Sequence, residues 1–374
     1  MSRHYLDHAS TSPTRPAAIE AMLPWFTTAA DPGRVHGEGH AARVAVEVAR
    51  EQVASLLGAR PREVVFTSGA TEAVVTATWM ATERGDHVVL PAVEHRCVRD
   101  AAAGHRTTVV GVDRAGRVDP GEVLAAVEPD TALVHLQLGN HEVATLQPVA
   151  EVVAACRERG VLTHVDAAQA TGHVPIDFVG LGADLLSTSA HKLGGPPGVG
   201  ALLVRRGLRL RPLIVGGDQE RARRAGYENV PGIVGFGAAA AELAGGRLEE
   251  EAAAAAAQLG RVAIAADAGE LGPDVSLLGD PDPSGRLPHL LCLAVGGVEA
   301  EPVLLGLDQA GVAVHSGSSC STESLEPSPV LEAMGVDAER SLRVSVGWTT
   351  TDADIDVFLA AMPGVVARLL ALRS

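Results

Sequence analysis

The stretch ADLLSTSAHKLGGPPG, residues 183–198, contains Lys192, the only lysine among 374 residues. Apart from histidine, every other basic side chain is an arginine. A short apolar run predicts a strand, small hydroxyl side chains follow it, and a glycine-rich turn ends the stretch. Only a lysine amine can lose its proton, act as a nucleophile and form a Schiff base with an aldehyde. We therefore expect a strand that delivers one reactive amine.

Strand-like and helix-like segments alternate around this stretch, from about residue 15 to residue 245. Such alternation predicts a mostly parallel sheet with helices on both faces, which is an α/β fold. Helices are expected at residues 42–57 and 149–159. Seven strands are expected at residues 64–66, 87–90, 108–112, 132–136, 161–165, 185–188 and 201–205.

A second, smaller unit is expected after the break at Gly245-Gly246. It begins with an Ala-rich helical stretch over residues 247–271 and ends with a helix over residues 352–372. Strands between them are expected at residues 290–295, 311–315 and 342–346. We expect a large domain over residues 15–250 and a smaller α+β domain formed by residues 1–14 and 251–374.

Composition excludes several classes of function. The net charge of −16 and the pI of about 5.3 argue against nucleic acid as a principal partner, because phosphate binding needs a basic face. The sequence contains no run of about 18 apolar residues, so it predicts no membrane span. The first ten residues lack an apolar signal core, so we expect a cytoplasmic protein. The cysteines at 97, 156, 292 and 320 lack CxxC spacing and predict neither a disulfide framework nor a metal site.

Two further features lie where ligands bind in parallel sheets. Asp166 ends a predicted strand, and it is either a helix N-cap or a buried carboxylate that pairs with a pyridinium N–H. Residues 68–72, SGATE, open a helix after a strand; this is either an ordinary capped start or a phosphate cradle. Together with the single lysine, these features favour pyridoxal 5′-phosphate as the cofactor.

A series of short motifs extends this pattern along nearly the whole chain. The motifs are YLDHAST at 5–11, FTSGATE at 66–72, Glu94-His95, VDAAQ at 165–169, SAHK at 189–192, Gln219-Glu220, Glu228-Asn229, SGSSC at 316–320, SLEPS at 324–328 and RVSVG at 343–347. In this order they resemble the aminotransferase class V group of pyridoxal phosphate enzymes, and within it the NifS/IscS-type cysteine desulfurases. The resemblance implies the type I fold of these transferases, with the seven-stranded sheet in the large domain and Cys320 on a loop of the small domain.

The resemblance also implies roles for individual residues. Lys192 binds the cofactor aldehyde, Asp166 pairs with the ring nitrogen and Gln169 reaches the ring phenolic oxygen. His95 stacks on the ring and moves protons, and Arg343 binds the substrate α-carboxylate. The full set of implied cofactor contacts is Ala70, Thr71, His95, His141, Asp166, Gln169, Ser189, His191, Lys192 and Tyr227. Without the resemblance, His95 and His191 would be interpreted as structural histidines.

Cys320 lies among small polar residues, whereas a cysteine is usually a buried, small hydrophobic side chain. This setting favours a reactive thiol. The resemblance makes Cys320 the acceptor of sulfur from L-cysteine, which leaves alanine and a persulfide for a sulfur acceptor or scaffold protein, as in iron–sulfur assembly. It also implies a homodimer. The other three cysteines are interpreted as core or bystander thiols.

Three positions depart from the family pattern. His141 stands where the family has an asparagine that contacts cofactor and substrate, so His141 is assigned to both. Tyr227 stands where a threonine normally reaches the cofactor phosphate of the partner subunit. Val75 stands where the family has an asparagine shortly after residues 69–72. These changes suggest a specialised paralogue.

Two other functions remain open from the sequence. One is a C–S lyase or selenocysteine lyase that uses pyridoxal phosphate and does not pass sulfur through Cys320. The other is a weakened desulfurase-like protein that binds a sulfur carrier or scaffold. An ordinary aminotransferase is disfavoured, because it has no use for a cysteine in that loop.

Overall fold

The structure, a computed structural model, describes residues 3–316 and 327–372. Its strands are β1 His4–Tyr5, β2 Val64–Thr67, β3 His87–Pro91, β4 Arg106–Val110, β5 Thr131–Gln137, β6 Leu162–Asp166, β7 Leu185–Ser189, β8 Gly200–Val204, β9 Val275–Leu278, β10 Leu290–Val295, β11 Val312–Ala313 and β12 Ser341–Ser345. Its helices are α1 Pro16–Met22, α2 Gly37–Leu56, α3 Ala70–Ala81, α4 Arg96–Ala102, α5 Pro120–Ala125, α6 Val149–Glu158, α7 Phe178–Leu181, α8 Gln219–Ala222, α9 Val230–Glu242, α10 Arg247–Asp267, α11 Ala300–Gln309, α12 Pro329–Ala333 and α13 Asp352–Ala371.

The main sheet has seven strands in the order β2-β8-β7-β6-β5-β3-β4. Strands β4, β3, β5, β6 and β7 pair in parallel, while β8 runs antiparallel to both of its neighbours. The predicted mostly parallel, seven-stranded α/β sheet is therefore confirmed. Since β2 and β7 are both antiparallel to β8, they share one direction. The carboxyl ends of β2, β3, β5, β6 and β7 consequently meet at one edge of the sheet.

Helix α2 begins five residues earlier than the expected start at residue 42. The reason is a local cap: the His36 side chain accepts a hydrogen bond from the backbone N–H of Gly39, which satisfies a first-turn donor. The buried face of α2 packs on α9 at close range. A Cβ on Gly237 of α9 would lie 2.5 Å from the Cα of Ala49, so only glycine permits this approach.

The bounds of some strands in the structure also differ from the predicted segments. Strand β4 pairs only with β3, from Arg106 to Val110, and so begins and ends two residues before the predicted segment 108–112. The segment 311–315 contributes only the two-residue strand β11, which pairs with the unpredicted β1. Strand β9 was not predicted, since Val275–Leu278 is short and only its first residue is buried.

The C-terminal part has its own antiparallel sheet, in the order β12-β10-β9. Its apolar side chains form a hydrophobic cluster between this sheet, α10, α11 and α13, and Leu6 of the N-terminal segment joins that cluster. Strand β1 pairs with β11, and Ser345 of β12 donates its backbone N–H to the Leu6 carbonyl. The division into a large domain over residues 15–250 and a small domain formed by residues 1–14 and 251–374 stays a prediction.

Candidate active site

A cavity of about 560 Å³ opens at the edge where the parallel strands end. This is the edge at which open α/β sheets bind ligands. Its polar and charged lining side chains are Ser10, Ser68, Thr71, Glu72, His95, Cys97, Gln137, His141, Asp166, Gln169, Ser189, His191, Lys192 and Arg343. Ala70 lines it as well. Most residues proposed from the sequence for one site therefore lie around one cavity.

Lys192 reaches the cavity from the 3-10 turn Ala190–Leu193 that follows β7. Its Nζ donates a hydrogen bond to the Ala9 carbonyl of the N-terminal segment. The turn ends at Gly194, whose φ of 86° lies in the left-handed region that favours glycine. Gly194, two residues after Lys192, therefore ends the turn that presents the amine.

Asp166 ends β6 and is 7% exposed. Its Oδ1 accepts hydrogen bonds from the Ser187 hydroxyl at 2.9 Å and from the Ala168 backbone N–H at 3.0 Å. Both contacts orient the carboxylate at the cavity wall. The alternative from the sequence, a helix N-cap, is not what the structure contains, since no α-helix follows Asp166 directly.

The N-terminus of α3 forms one end of the cavity. In a helix the first backbone N–H groups have no partner within the helix, and the helix dipole favours an anion there. Ala70 and Thr71 occupy these first positions. Burial, and then the charge of Lys192, lower the pKa of His191 to about 4, so this imidazole is neutral at neutral pH. Ser189 and His191 lie on the same cavity wall, which suits a bound phosphate group.

Arg343 of β12 is 2% exposed and reaches the cavity from the small sheet. Its two terminal nitrogens donate to the His141 carbonyl at 2.9 Å, to Asp7 Oδ1 at 3.1 Å and to the Ser10 hydroxyl at 2.9 Å. These contacts hold a buried guanidinium in one orientation. A guanidinium held in this way suits recognition of a carboxylate.

His95 and His141 face each other edge to face, with ring centroids 5.0 Å apart. Nδ1 of His95 lies 3.0 Å from the Cys97 sulfur. Cys97 lines the cavity, although the sequence suggested only a core or bystander thiol. Its closeness to His95 follows from the first turn of α4, which the sequence motif does not reveal. Cys156 and Cys292 are buried, as expected.

Two sequence-proposed residues are not placed in this cavity. Tyr227 is 65% exposed, and its hydroxyl donates to the Ala30 carbonyl at 2.5 Å. The role assigned to it concerns a partner subunit and stays a prediction. Cys320 lies outside the described residues.

Sequence reasoning missed several residues of this site. Ser187 bonds Asp166, and Ser10 bonds Arg343. Ser187 had a detectable signal, because residues two apart on a strand share a face and Ser189 was already proposed. Ser10 lies within the motif at residues 5–11, but its bond to Arg343 had no local signal, since the two residues are 333 positions apart.

Glu94 gives the first testable prediction. It is fully buried, and burial, followed by the charge of Asp166, raises its pKa from 4.5 to about 8. Between these values the folded protein binds a proton that the unfolded chain has released, so this group lowers stability as pH rises. Glu94→Gln keeps the shape without the titration. We expect it to be more stable than wild type at about pH 8, by a few kcal/mol, and nearly equal at about pH 5.

Urea unfolding at both pH values measures this effect. The exposed Glu20→Gln is the matched control and should leave the pH dependence unchanged. If the stability of Glu94→Gln relative to wild type were the same at both pH values, Glu94 would not be a buried, protonated carboxyl.

In the described part of the chain, no helix is long and apolar enough to cross a membrane. The same residues contain no group of three or more His, Cys, Asp or Glu side chains that could hold a metal ion.

Comparison with known proteins places this cavity in context. The family model for aminotransferase class-V matches residues 4–358. A cysteine desulfurase from Gluconacetobacter diazotrophicus is 42% identical over 383 aligned positions, covering 99% of this chain and 94% of that protein. Among solved structures, a NifS-like protein superposes with a TM-score of 0.88 at 31% identity, covering 98% of this chain and all of that one. The structure of SspA in complex with cysteine superposes with a TM-score of 0.79 at 29% identity, over 93% of this chain and 100% of that one.

Proposed function

The chain belongs to the aminotransferase class-V family and, within it, to the cysteine desulfurases, and from this premise we propose that it uses pyridoxal 5′-phosphate to take sulfur from L-cysteine. The observation that carries the proposal is the cavity at the sheet edge. There the only lysine, a buried strand-end carboxylate and a buried arginine lie together. These are the groups needed to bind an aldehyde, a pyridinium nitrogen and an amino-acid carboxylate.

The residues of the cavity fit pyridoxal phosphate. Gln169 Oε1 is buried and has no hydrogen-bond partner among the described residues, which suits an amide that contacts a ligand. The start of α3, with Ser189 and His191, would hold the phosphate. Asp166 would hold the proton on the ring nitrogen. Lys192 supplies the amine, and no other lysine exists to replace it.

Pyridoxal phosphate, when bound, supplies an electron-withdrawing ring that stabilises negative charge at the substrate α-carbon. The Asp166 carboxylate would keep the ring nitrogen of the bound cofactor protonated. Ser187 and the Ala168 N–H hold that carboxylate in one orientation. Arg343 binds the α-carboxylate of L-cysteine and sets which way the substrate faces. His95 moves a proton at its imidazole next to the reacting atoms. His141 lies beside His95 and Arg343. At the position of the family asparagine, it would contact both cofactor and substrate.

The sulfur atom of the substrate is transferred to Cys320. The Cys320 thiolate forms a bond to the substrate sulfur as the bond from that sulfur to carbon breaks. The carbon keeps the electron pair and takes up a proton, which gives alanine. Cys320 then holds a persulfide, whose outer sulfur passes to an acceptor or scaffold protein. A cytoplasmic location stays a prediction from the sequence.

A homodimer is part of this proposal, and exposed apolar side chains support it. The bond from the Tyr227 hydroxyl to the Ala30 carbonyl joins segment 214–227 to segment 23–35 at one point. In these two segments Leu23 is 58% exposed, Phe26 65% and Val215 75%. Exposed apolar side chains that adjoin one another are typical of a covered interface, and we infer that these three are covered in the dimer. Tyr227 would lie at that interface, near the cofactor of the partner.

One experiment tests the function and the assembly together. The protein, reconstituted with pyridoxal phosphate, is separated by size, and each fraction is given L-cysteine and a thiol reductant. We expect alanine and sulfide to form in the dimer fraction. Absence of alanine in every fraction would favour the weakened, partner-binding alternative, and activity confined to a monomer would contradict the dimer.

A further inference from the structure

Two stacked histidines hold Gln169 from outside the cavity. The rings of His173 and His289 are parallel within 9°, with centroids 3.5 Å apart. Nε2 of His289 lies 2.9 Å from Nε2 of Gln169, and Nε2 of His173 donates to the Lys192 carbonyl at 3.3 Å. Gln169 and Lys192 line the cavity, and neither histidine belongs to the described lining. The stack therefore joins the backbone of the reactive lysine to the side chain of Gln169.

Both imidazoles are neutral in the folded protein. Burial lowers the pKa of His173 to about 4. Burial, followed by the neighbouring His173, holds the pKa of His289 well below its ordinary value. A neutral imidazole has one N–H donor and one acceptor nitrogen. His173 must carry its hydrogen on Nε2, because a carbonyl oxygen only accepts.

The tautomer of His289 decides which end of the Gln169 amide faces the cavity. If the amide NH₂ donates to His289 Nε2, the hydrogen of His289 lies on Nδ1, which is buried and has no partner among the described residues. A buried donor without an acceptor is costly. If the amide is rotated by half a turn, His289 Nε2–H donates to the Gln169 oxygen. Nδ1 of His289 then carries no hydrogen. The Gln169 NH₂ group takes the place of Oε1, a buried position that has no partner among the described residues.

We propose that His289, held in plane by the stacked His173, is a positioning residue that fixes the Gln169 amide so that its NH₂ group donates to the phenolic oxygen of the cofactor. The inference rests on the proposed function, because that function supplies the acceptor oxygen. It extends the site to two histidines that the family motifs do not include. It also explains the stacking of the two rings, because a fixed plane for His289 fixes the direction of its Nε2–H bond.

Spectroscopy of the bound cofactor tests this role. Loss of a donor to the phenolic oxygen makes that oxygen more basic, so the pH at which the visible absorption band titrates should rise. We expect His289→Leu to raise it by about one unit, a tenfold change in proton affinity. His289→Gln keeps an N–H near the position of Nε2 and should restore the wild-type titration. Circular dichroism and thermal unfolding establish that each variant is folded.

A double-mutant cycle separates positioning from a merely structural role. If His289 acts through Gln169, Gln169→Leu should shift the titration by the same amount, and the double variant should shift it no further. A shift that His289→Leu still produces in the Gln169→Leu background would overturn the proposal. An unchanged titration in His289→Leu would do the same.

The tautomer itself is measured in the cofactor-bound protein, because only there does the Gln169 NH₂ group have the phenolic oxygen as its acceptor. In protein labelled with ¹⁵N-histidine, long-range nitrogen–proton spectra distinguish the two tautomers, and the His289→Gln variant assigns the signal. We expect the hydrogen on Nε2 of His289, and a hydrogen on Nδ1 would overturn the proposal. A wild-type protein that shows no visible band would instead contradict the proposed function, whereas a visible band together with the hydrogen on Nδ1 would contradict only the role of His289.

Discussion

Lys192→Ala is expected to abolish turnover of L-cysteine and to remove the visible absorption of the bound cofactor. The chain has no other lysine, so no neighbouring primary amine can take over. Removal of one essential catalytic group typically costs about 10²–10⁴-fold in rate. We expect the upper end of this range, because the proposed function requires Lys192 both to bind the cofactor and to supply an amine beside the reacting atoms.

Lys192→Arg is the matched control for charge. It keeps a cation near the Ala9 carbonyl, but a guanidinium does not form a Schiff base with an aldehyde. It should therefore be as inactive as Lys192→Ala. Borohydride reduction of the wild-type protein should attach the cofactor to the arginine-cleavage peptide 160–205, which contains Lys192. Attachment to any other peptide, or substantial activity in either variant, would contradict the assignment.

The sheet and the positions of its functional residues followed from local sequence. Apolar runs predicted the seven strands, and parallel strands end at one edge. Asp166, Ser189 and Lys192 end or follow two of these strands, so their convergence on one cavity was predictable. The motif at the start of α3 was predictable for the same reason, because β2 ends at that edge.

Other parts of the site depend on contacts between distant segments. Arg343 is oriented by Asp7 and Ser10, more than 330 residues earlier, and no local pattern records that pairing. His173 and His289 lie on separate loops and meet only in the folded chain. Strands β1 and β9 are too short to give a periodic signal. For Cys97 the cavity position depends on the turn of α4, whereas composition around it suggested burial.

Cys320→Ser should separate the two halves of the reaction. Its cofactor should still bind and still change colour with L-cysteine, because the proposed function assigns those steps to Lys192, Asp166 and Arg343. A serine hydroxyl is a poor nucleophile towards sulfur compared with a thiolate. Alanine release should therefore fall by about 10²–10⁴-fold, the scale of a lost catalytic group.

Cys97→Ser is the matched control, because Cys97 is a thiol that lines the same cavity. It should keep both alanine release and persulfide formation. Undiminished alanine release by Cys320→Ser would remove the desulfurase mechanism and favour a C–S lyase or selenocysteine lyase.

Mass spectrometry of the wild-type protein after brief exposure to L-cysteine, without reductant, shows which cysteine receives the sulfur. Cleavage at arginine leaves Cys292 and Cys320 in one peptide, so cleavage after glutamate is used to give residues 300–323, in which Cys320 is the only cysteine. We predict one added sulfur atom on this peptide, and none on the peptides that carry the other cysteines. Alanine formation with no added sulfur on residues 300–323, or with the sulfur on Cys97, would contradict the account.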